Sequence, residues 1–268
     1  MPLICVCSPK GGVGKTTLAA NLTYALARAG SKVLAIDFDV QNALRLHFGV
    51  PLSDERGYVA RSAESSDWSP YVLGAGGNMF VLPYGEVSEQ QRVDFEDKLT
   101  HDEHFLARGL GTLLNYPGLI IVADFPPGPS AALKAMTALA DVHLVTLLAD
   151  TASMSLLPHV ENNRLTGEPL NHKLGHFFVV NQSDSRRQIS RDVTAFMEER
   201  LGEQLLGIIH RDESVIEANA SQKSIFEFSP ASAAAFDIEI IAKKVAAKLG
   251  VKVGDGTVHN MPRMSAGL

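Results

Sequence analysis

The chain has 268 residues, 46% hydrophobic and 20% charged, enough for one large α/β domain with a sizeable core. A formal charge of −6 and a pI near 5.8 exclude a dedicated nucleic-acid coat, while leaving room for a local basic patch. No stretch approaches the roughly 18–20 uncharged apolar residues of a membrane-spanning helix, and MPLICVCSPK has too short an apolar run for a signal peptide.

The first element is LICVCS, a buried strand over Leu3–Ser8 that carries Cys5 and Cys7 at alternate positions. With no further cysteine for a metal site or redox pair, these read as buried free thiols in a reducing compartment. Behind the strand, SPKGGVGKTT (Ser8–Thr17) leads into TTLAANLTYALARAG, where Leu18, Leu22 and Ala25 recur at helical spacing and Gly30 offers a stop. KVLAIDFD (Lys32–Asp39) is the next strand. Met79–Tyr84, Leu119–Phe125, Val142–Asp150, His176–Gln182 and Leu205–His210 follow, each nearly continuously apolar and separated by helix-like stretches. That alternation predicts an α/β domain whose mostly parallel sheet is covered by helices on both faces. Residues 49–78, between the second and third strands, are polar and glycine-bearing and hold the only tryptophan, Trp68. They predict a surface loop with short helices and the option of a partner contact. The last helix is expected over Ala231–Leu249. The domain therefore spans residues 1–250. From Gly250 onward the chain has four glycines, a proline and no helical stripe, so residues 251–268 are expected to form a mobile tail.

SPKGGVGKTT carries the densest chemistry. A glycine turn between strand and helix presents successive backbone N–H groups to an anion, and the helix dipole adds partial positive charge there. Gly11, Gly12, Val13 and Gly14 supply that turn, Lys15 reaches terminal phosphates, Thr16 offers its hydroxyl to Mg²⁺, and Thr17 completes the expected nucleotide-binding set. The strict pattern G-x-x-x-x-G-K-[ST] is not met, because its first glycine falls on Pro9. Lys10 precedes the turn, and no cradle within its own subunit requires it. An extra cation beside Lys15 is unfavourable unless an anion lies near.

Two strand ends add carboxylates on the side where ligands of open parallel sheets bind. In IDFDVQN, Asp37 and Asp39 are two residues apart and point the same way, although Asp37 reads equally as a turn carboxylate. In LIIVADFPPGPS, Asp124 ends an apolar strand before the turn Pro126–Pro127–Gly128. Phosphoryl transfer needs Mg²⁺ and a positioned water more than covalent chemistry, and this set suits both. Asn181 ends FFVVNQ, where its amide can pair with the edge of an adenine or simply close the strand. His101 and His104 in THDEHF stand three apart, a spacing a metal could use, yet a solvated helix start explains them better. Arg186, Arg187 and Arg191 gather near a helix start, but Glu198 and Glu199 follow, which favours a solvated face over a DNA-backbone patch.

KGGVGKTT, followed in order by D-x-D and D-x-P-P-G, resembles the deviant phosphate loop and the two switch segments of the MinD/ParA family of ATPases, over roughly residues 2–248. The resemblance implies a P-loop NTPase that binds ATP and Mg²⁺ and dimerises around two nucleotides. It implies that Lys10 crosses the dimer interface to the partner's phosphates, and that Asp39 orients the attacking water. Asp37 and Asp124 would support the Mg²⁺ shell with Thr16, while Asn181 would take the adenine. Arg211 and Asp212 in IIHRDESV resemble the stretch lining the base pocket. Outside these loops, NALRLHFGV, SSDWSPYVL, FVLPYGEVS and LGIIHRDESVIEANASQKSIFEF resemble the accessory-ATPase branch found in cellulose-synthase operons. That branch implies a cytoplasmic, slowly hydrolysing, ATP-dependent dimeric switch. It would support assembly or localisation of a membrane-embedded cellulose synthase through protein partners, with recruitment to the inner membrane face or a cell pole. Direct membrane insertion is not expected, because the tail lacks an amphipathic helix. Nucleic acid is not an expected partner. The alternatives are a ParA-like DNA- or cargo-partitioning ATPase and a ligase-like enzyme of the same fold. An iron–sulfur dimer is excluded, because both cysteines precede the phosphate loop.

Overall fold

Eight strands make a single sheet: Leu3–Cys7 (β1), Lys32–Asp37 (β2), Leu73–Gly74 (β3), Met79–Leu82 (β4), Leu119–Asp124 (β5), Val142–Leu148 (β6), His176–Ser183 (β7) and Leu205–His210 (β8). They lie in the order β3-β4-β2-β5-β1-β6-β7-β8. The structure, a computed structural model, describes residues 1–167 and 174–251. All neighbouring strands run parallel except β3, which pairs antiparallel with β4. The expectation of a mostly parallel sheet therefore stands. The two-residue β3 was not anticipated, since Leu73–Gly74 is too short to carry an apolar period.

The connecting helices are Lys15–Arg28 (α1), Glu89–His101 (α2), Phe105–Gly109 (α3), Gly111–Leu114 (α4), Ala131–Thr137 (α5), Thr151–Glu161 (α6), Gln188–Leu201 (α7), Glu213–Ala220 (α8), Ile225–Phe228 (α9) and Ala233–Lys248 (α10). Alternate strand residues point to opposite faces and meet different helices. Leu3, Cys5, Cys7, Leu34, Ile121 and Val145 pack under α2, α3, α5, α6 and α7. Ile4, Val6, Val33, Val122 and Leu144 pack under α1, α9 and α10. Both cysteines are buried free thiols, as expected, and burial raises both; Cys7 is pushed up to about 12. The last helix is α10, two residues shorter at its start and one at its end than anticipated. The tail expected over residues 251–268 lies outside the described residues beyond Val251. No described helix is long and apolar enough to cross a membrane.

The insertion departs from expectation. It does contain short 3₁₀ turns, Val59–Arg61 and Ser69–Tyr71, but its centre is core rather than surface. Trp68 and Tyr58 are fully buried and form an aromatic cluster with Tyr84, Phe95 and Phe105. The cluster continues to Phe38 through its edge contact with Tyr58, and Phe38 stacks on Phe125 at 5.0 Å. Gly109 makes room for the indole: a Cβ there would meet Trp68 Cε2 at 2.2 Å, and the backbone N–H of Trp68 donates to the Gly109 carbonyl. The histidines of THDEHF do not share a helix face. His101 ends α2 beside Asp97, and His104 immediately precedes α3 without capping it through its side chain.

Candidate functional site

The phosphate-loop segment leaves β1 and enters α1 at the carboxyl edge of the sheet. Gly12 (φ 74°) and Gly14 (φ 80°) take left-handed conformations, which glycine reaches without steric cost. At Gly14 the space is also closed, since a Cβ would lie 2.4 Å from Asn181 Nδ2. α1 therefore begins with free N–H groups facing the loop, and no side chain caps it.

β2 and β5 pair in a register that sets Asp37 directly opposite Asp124. Both are fully buried. Lys15 Nζ donates to Asp124 Oδ1 at 2.7 Å and Thr16 Oγ1 to Oδ2 at 2.6 Å, so one carboxylate gathers both loop side chains. Asp37 accepts the backbone N–H of Asp39 at 2.9 Å and of Leu44 at 3.0 Å. Burial, followed by repulsion from Asp124, nevertheless pushes the Asp37 carboxyl well above the usual carboxylate range. Burial raises Asp124 as well, against the pull of Lys15 and Thr16. The oxygens gathered here belong to the two carboxyls and to the Thr16 hydroxyl. The donors are all hard oxygens, which suits Mg²⁺ rather than a thiophilic metal. Among the described residues no group of three His, Cys, Asp or Glu could hold a metal alone, so a cation here would also need water and phosphate oxygens.

Asp39 is half-buried and accepts the Gln41 N–H on Oδ1 at 3.0 Å. The two carboxylate stations are tied together: the Phe38 N–H donates to the Asp124 carbonyl at 2.8 Å, beneath the Phe38–Phe125 stack. The Gly128 N–H donates to the Ser8 carbonyl, joining the turn after Asp124 to the phosphate loop.

Lys10 meets an anion within its own chain, which the sequence reading did not foresee. Its Nζ lies 2.7 and 3.0 Å from the two oxygens of Asp150, which stands between the end of β6 at Leu148 and the start of α6. Asp150 also accepts the Ser153 N–H and so caps α6. Burial alone would raise Asp150, but the hydrogen bonds from Lys10 and Ser153 hold it below the usual carboxylate range. The same signal that marked Asp124, an aspartate closing an apolar strand, was present here.

Asn181 reaches the loop, where its Nδ2 donates to the Val13 carbonyl at 2.8 Å and its Oδ1 accepts the Gln182 N–H. Asp212 caps α8 through Ser214 and accepts the Ala234 N–H at the start of α10. Arg211 is exposed and paired with Glu213. Arg186 and Arg191 are exposed, but Arg186 is held by Asp184 and Arg191 by Ser185 and Gln188. Two further groups escaped the sequence reading: Tyr58, whose hydroxyl donates to the Asp37 carbonyl, and Asn219, which touches Thr17.

A family model described as cellulose biosynthesis protein BcsQ matches residues 1–245. The cellulose biosynthesis protein BcsQ of Salmonella typhimurium is 26% identical over 235 residues, covering 87% of this chain and 89% of that protein. An ATP complex of a McdA variant from Cyanothece superposes with a TM-score of 0.75 at 23% identity, covering 94% of this chain and 97% of that one. The septum site-determining protein MinD of Pyrococcus horikoshii, complexed with Mg-ADP, gives 0.70 at 21% identity, with 93% and 97% covered. The fold is thus that of the MinD/ParA P-loop proteins.

Proposed function

The chain belongs to the family of the cellulose biosynthesis protein BcsQ, and from that membership we propose that it is an ATP-dependent, dimerising switch ATPase serving the cellulose-synthesis machinery. One observation carries the reading. Lys15, Thr16 and Asp124 converge at the uncapped start of α1, beneath a turn that only glycines can make. That convergence combines a phosphate-binding cation, a hydroxyl and a metal-supporting carboxylate.

When bound, Mg²⁺ would neutralise charge on the phosphate oxygens and fix their orientation. Thr16 and Asp124 would hold it, Asp124 through water, with Asp37 behind. Lys15 leaves Asp124 for the phosphates, since an anion of higher charge competes for the same ammonium. Loop N–H groups from Gly11 to Lys15 cradle the phosphate chain. Asp39 accepts a hydrogen bond from the attacking water and orients it. Asn181 and Asp212 stand on the base side, Asp212 chiefly by holding α8 and α10 in place. Lys10 exchanges Asp150 for phosphates bound by a second subunit, which makes dimerisation depend on ATP. Protein partners at the synthase then read the dimer, and no membrane segment is needed for that role.

The reading is tested by ATP titration, turnover and light scattering with and without Mg²⁺. Parent protein should bind ATP, dimerise with it and hydrolyse it slowly. Asp39→Ala should bind and dimerise but turn over far more slowly. An affinity pull-down from the native host with ATP and Mg²⁺ should recover cellulose-synthase components. A parent protein that neither binds nor hydrolyses ATP would falsify the reading.

A further inference from the structure

Thr17 lies in the first turn of α1, two residues beyond Lys15, and its hydroxyl is turned toward α8. There Asn219 donates from Nδ2 to Thr17 Oγ1 at 3.2 Å. The other half of the same amide, Oδ1, is buried and has no hydrogen-bond partner. Buried amide oxygens are normally paired, so an orphan beside a phosphate loop marks a place where a donor arrives. The position of Asn219 does not depend on its own contact. Asn21 Nδ2 donates to the Thr17 carbonyl at 2.9 Å, and Asn21 Oδ1 accepts the Ile225 N–H at 2.9 Å, which clamps α1 to the start of α9. The Lys223 N–H closes α8 onto the Ala218 carbonyl.

We propose that Asn219 is a positioning and nucleoside-recognition residue of this site. It orients the Thr17 hydroxyl through Nδ2 and receives a hydrogen-bond donor of the nucleoside on Oδ1. The proposal rests on the reading of Gly11–Thr17 as an ATP cradle. An N–H placed on a lone pair of Thr17 Oγ1 leaves the hydroxyl's own proton to be given away. Thr16 already serves Asp124, so the acceptor open to Thr17 is the anion that the start of α1 attracts. A phosphate chain anchored by Lys15 would run along the start of α1, and a nucleoside extending from it on the Thr17 side would meet α8, whose Asn219 already touches Thr17. Phosphate oxygens at neutral pH have no proton to donate, so Oδ1 repels them. It accepts instead from a ribose hydroxyl or from the exocyclic amine of adenine, and these two sources are separable by experiment.

The experiment is a titration of parent, Asn219→Ala, Thr17→Val and the double variant with ATP, ADP, 2′-deoxy-ATP, 3′-deoxy-ATP and inosine triphosphate. Melting temperatures without nucleotide accompany it. Loss of one or two hydrogen bonds should weaken ATP and ADP alike by about three- to tenfold in Asn219→Ala, with the nucleotide-free melting temperature held. In the Thr17→Val background the same substitution should cost less, because the two side chains act as a unit. One analogue should bind the parent more weakly than ATP yet bind Asn219→Ala no more weakly than ATP does; that analogue lacks the group Oδ1 accepts. Asn219→Asp keeps the shape, replaces the donor with a second acceptor, and should weaken binding beyond the alanine variant. Parental affinities for all five nucleotides in Asn219→Ala overturn the inference. So does an equal loss in both Thr17 backgrounds together with a fall in melting temperature. A parent that binds no nucleotide removes the inference and the ATPase reading together.

Discussion

Lys15 and Lys10 are both loop lysines, yet each faces a different carboxylate, and their substitutions should separate cleanly. Lys15 is 7% exposed and sits on a fully buried Asp124. Lys15→Ala removes a charge-assisted contact worth about 1.5–3 kcal/mol, so ATP affinity should fall roughly ten- to a hundredfold. Calorimetric titration that returned the parental constant would move the cradle elsewhere. Lys10 is 23% exposed and its partner Asp150 41% exposed, so solvent screens this pair and its worth is at most about 1 kcal/mol. Asn caps helices as well as Asp, so Asp150→Asn should leave α6 intact while releasing Lys10. The ATP-bound dimer should then form at up to about fivefold lower protein concentration by light scattering. Weaker dimerisation would mean that Asp150 aims Lys10 rather than restrains it. Asp37, Asp39 and Asp124 were legible because strand ends and a spacing of two fix their side. Asp150 follows an apolar run in the same way, but no second motif residue stands beside it to single it out.

Among the elements, the seven long strands were readable from apolar runs because both faces of a parallel sheet are buried. The insertion packs inward against its composition for the converse reason. Its polar composition describes its exposed turns, whereas a few inward aromatics decide where it packs. Gly109 tests that packing. An added Cβ meets the Trp68 ring at 2.2 Å, and the fully buried indole has neighbours on every side. Gly109→Ala should therefore lower stability by about 1–3 kcal/mol, through an overpacked core. Because Tyr58, Phe38 and Phe125 carry the same cluster to Asp37 and Asp124, thermal melting should fall first in the nucleotide-free protein and recover partly with ATP and Mg²⁺. A melting curve equal to the parent's would show that the insertion yields freely at Gly109.

For the whole molecule, acid stability should be set partly at the opposite end of the sheet from the phosphate loop. His143 and His176 are register partners at the amino ends of β6 and β7, their ring centroids 5.5 Å apart. Burial and then the neighbouring His176 push His143 down to about 3, and burial pushes His176 down to about 4. Both are neutral in the native protein near pH 6.5, where the unfolded chain begins to protonate its histidines. The unfolded state therefore binds more protons below that pH. Stability from burying the neutral rings is complete above about pH 6.5 and is lost as pH falls, by up to about 1.4 kcal/mol per unit per histidine. Asp37 and Asp124, raised by burial, act with the opposite sign, so the measurement is a comparison. His143→Phe should show a shallower fall in melting temperature between pH 6.5 and 4 than the parent. Identical slopes would take His143 out of the acid response.

What the sequence by itself determined is what short-range geometry controls: the glycine turn, Lys15 and Thr16 on one helical turn, and the D-x-D pair at the end of β2. A strand alternates with a period of two and ends where its apolar run ends, so these placements follow without knowing the neighbours. Tertiary structure alone decided which strand ends meet. Lys10 and Asp150 are 140 residues apart in the chain, Lys15 and Asp124 109, and Thr17 and Asn219 202. The order β2-β5-β1-β6-β7-β8 carries them to one edge. Strand order is set by how helices cross over and pack on two faces, a property of the assembled core that no local period encodes. It put Asp37 across from Asp124, turned Trp68 inward onto Gly109, and left one amide oxygen of Asn219 waiting beside the phosphate loop.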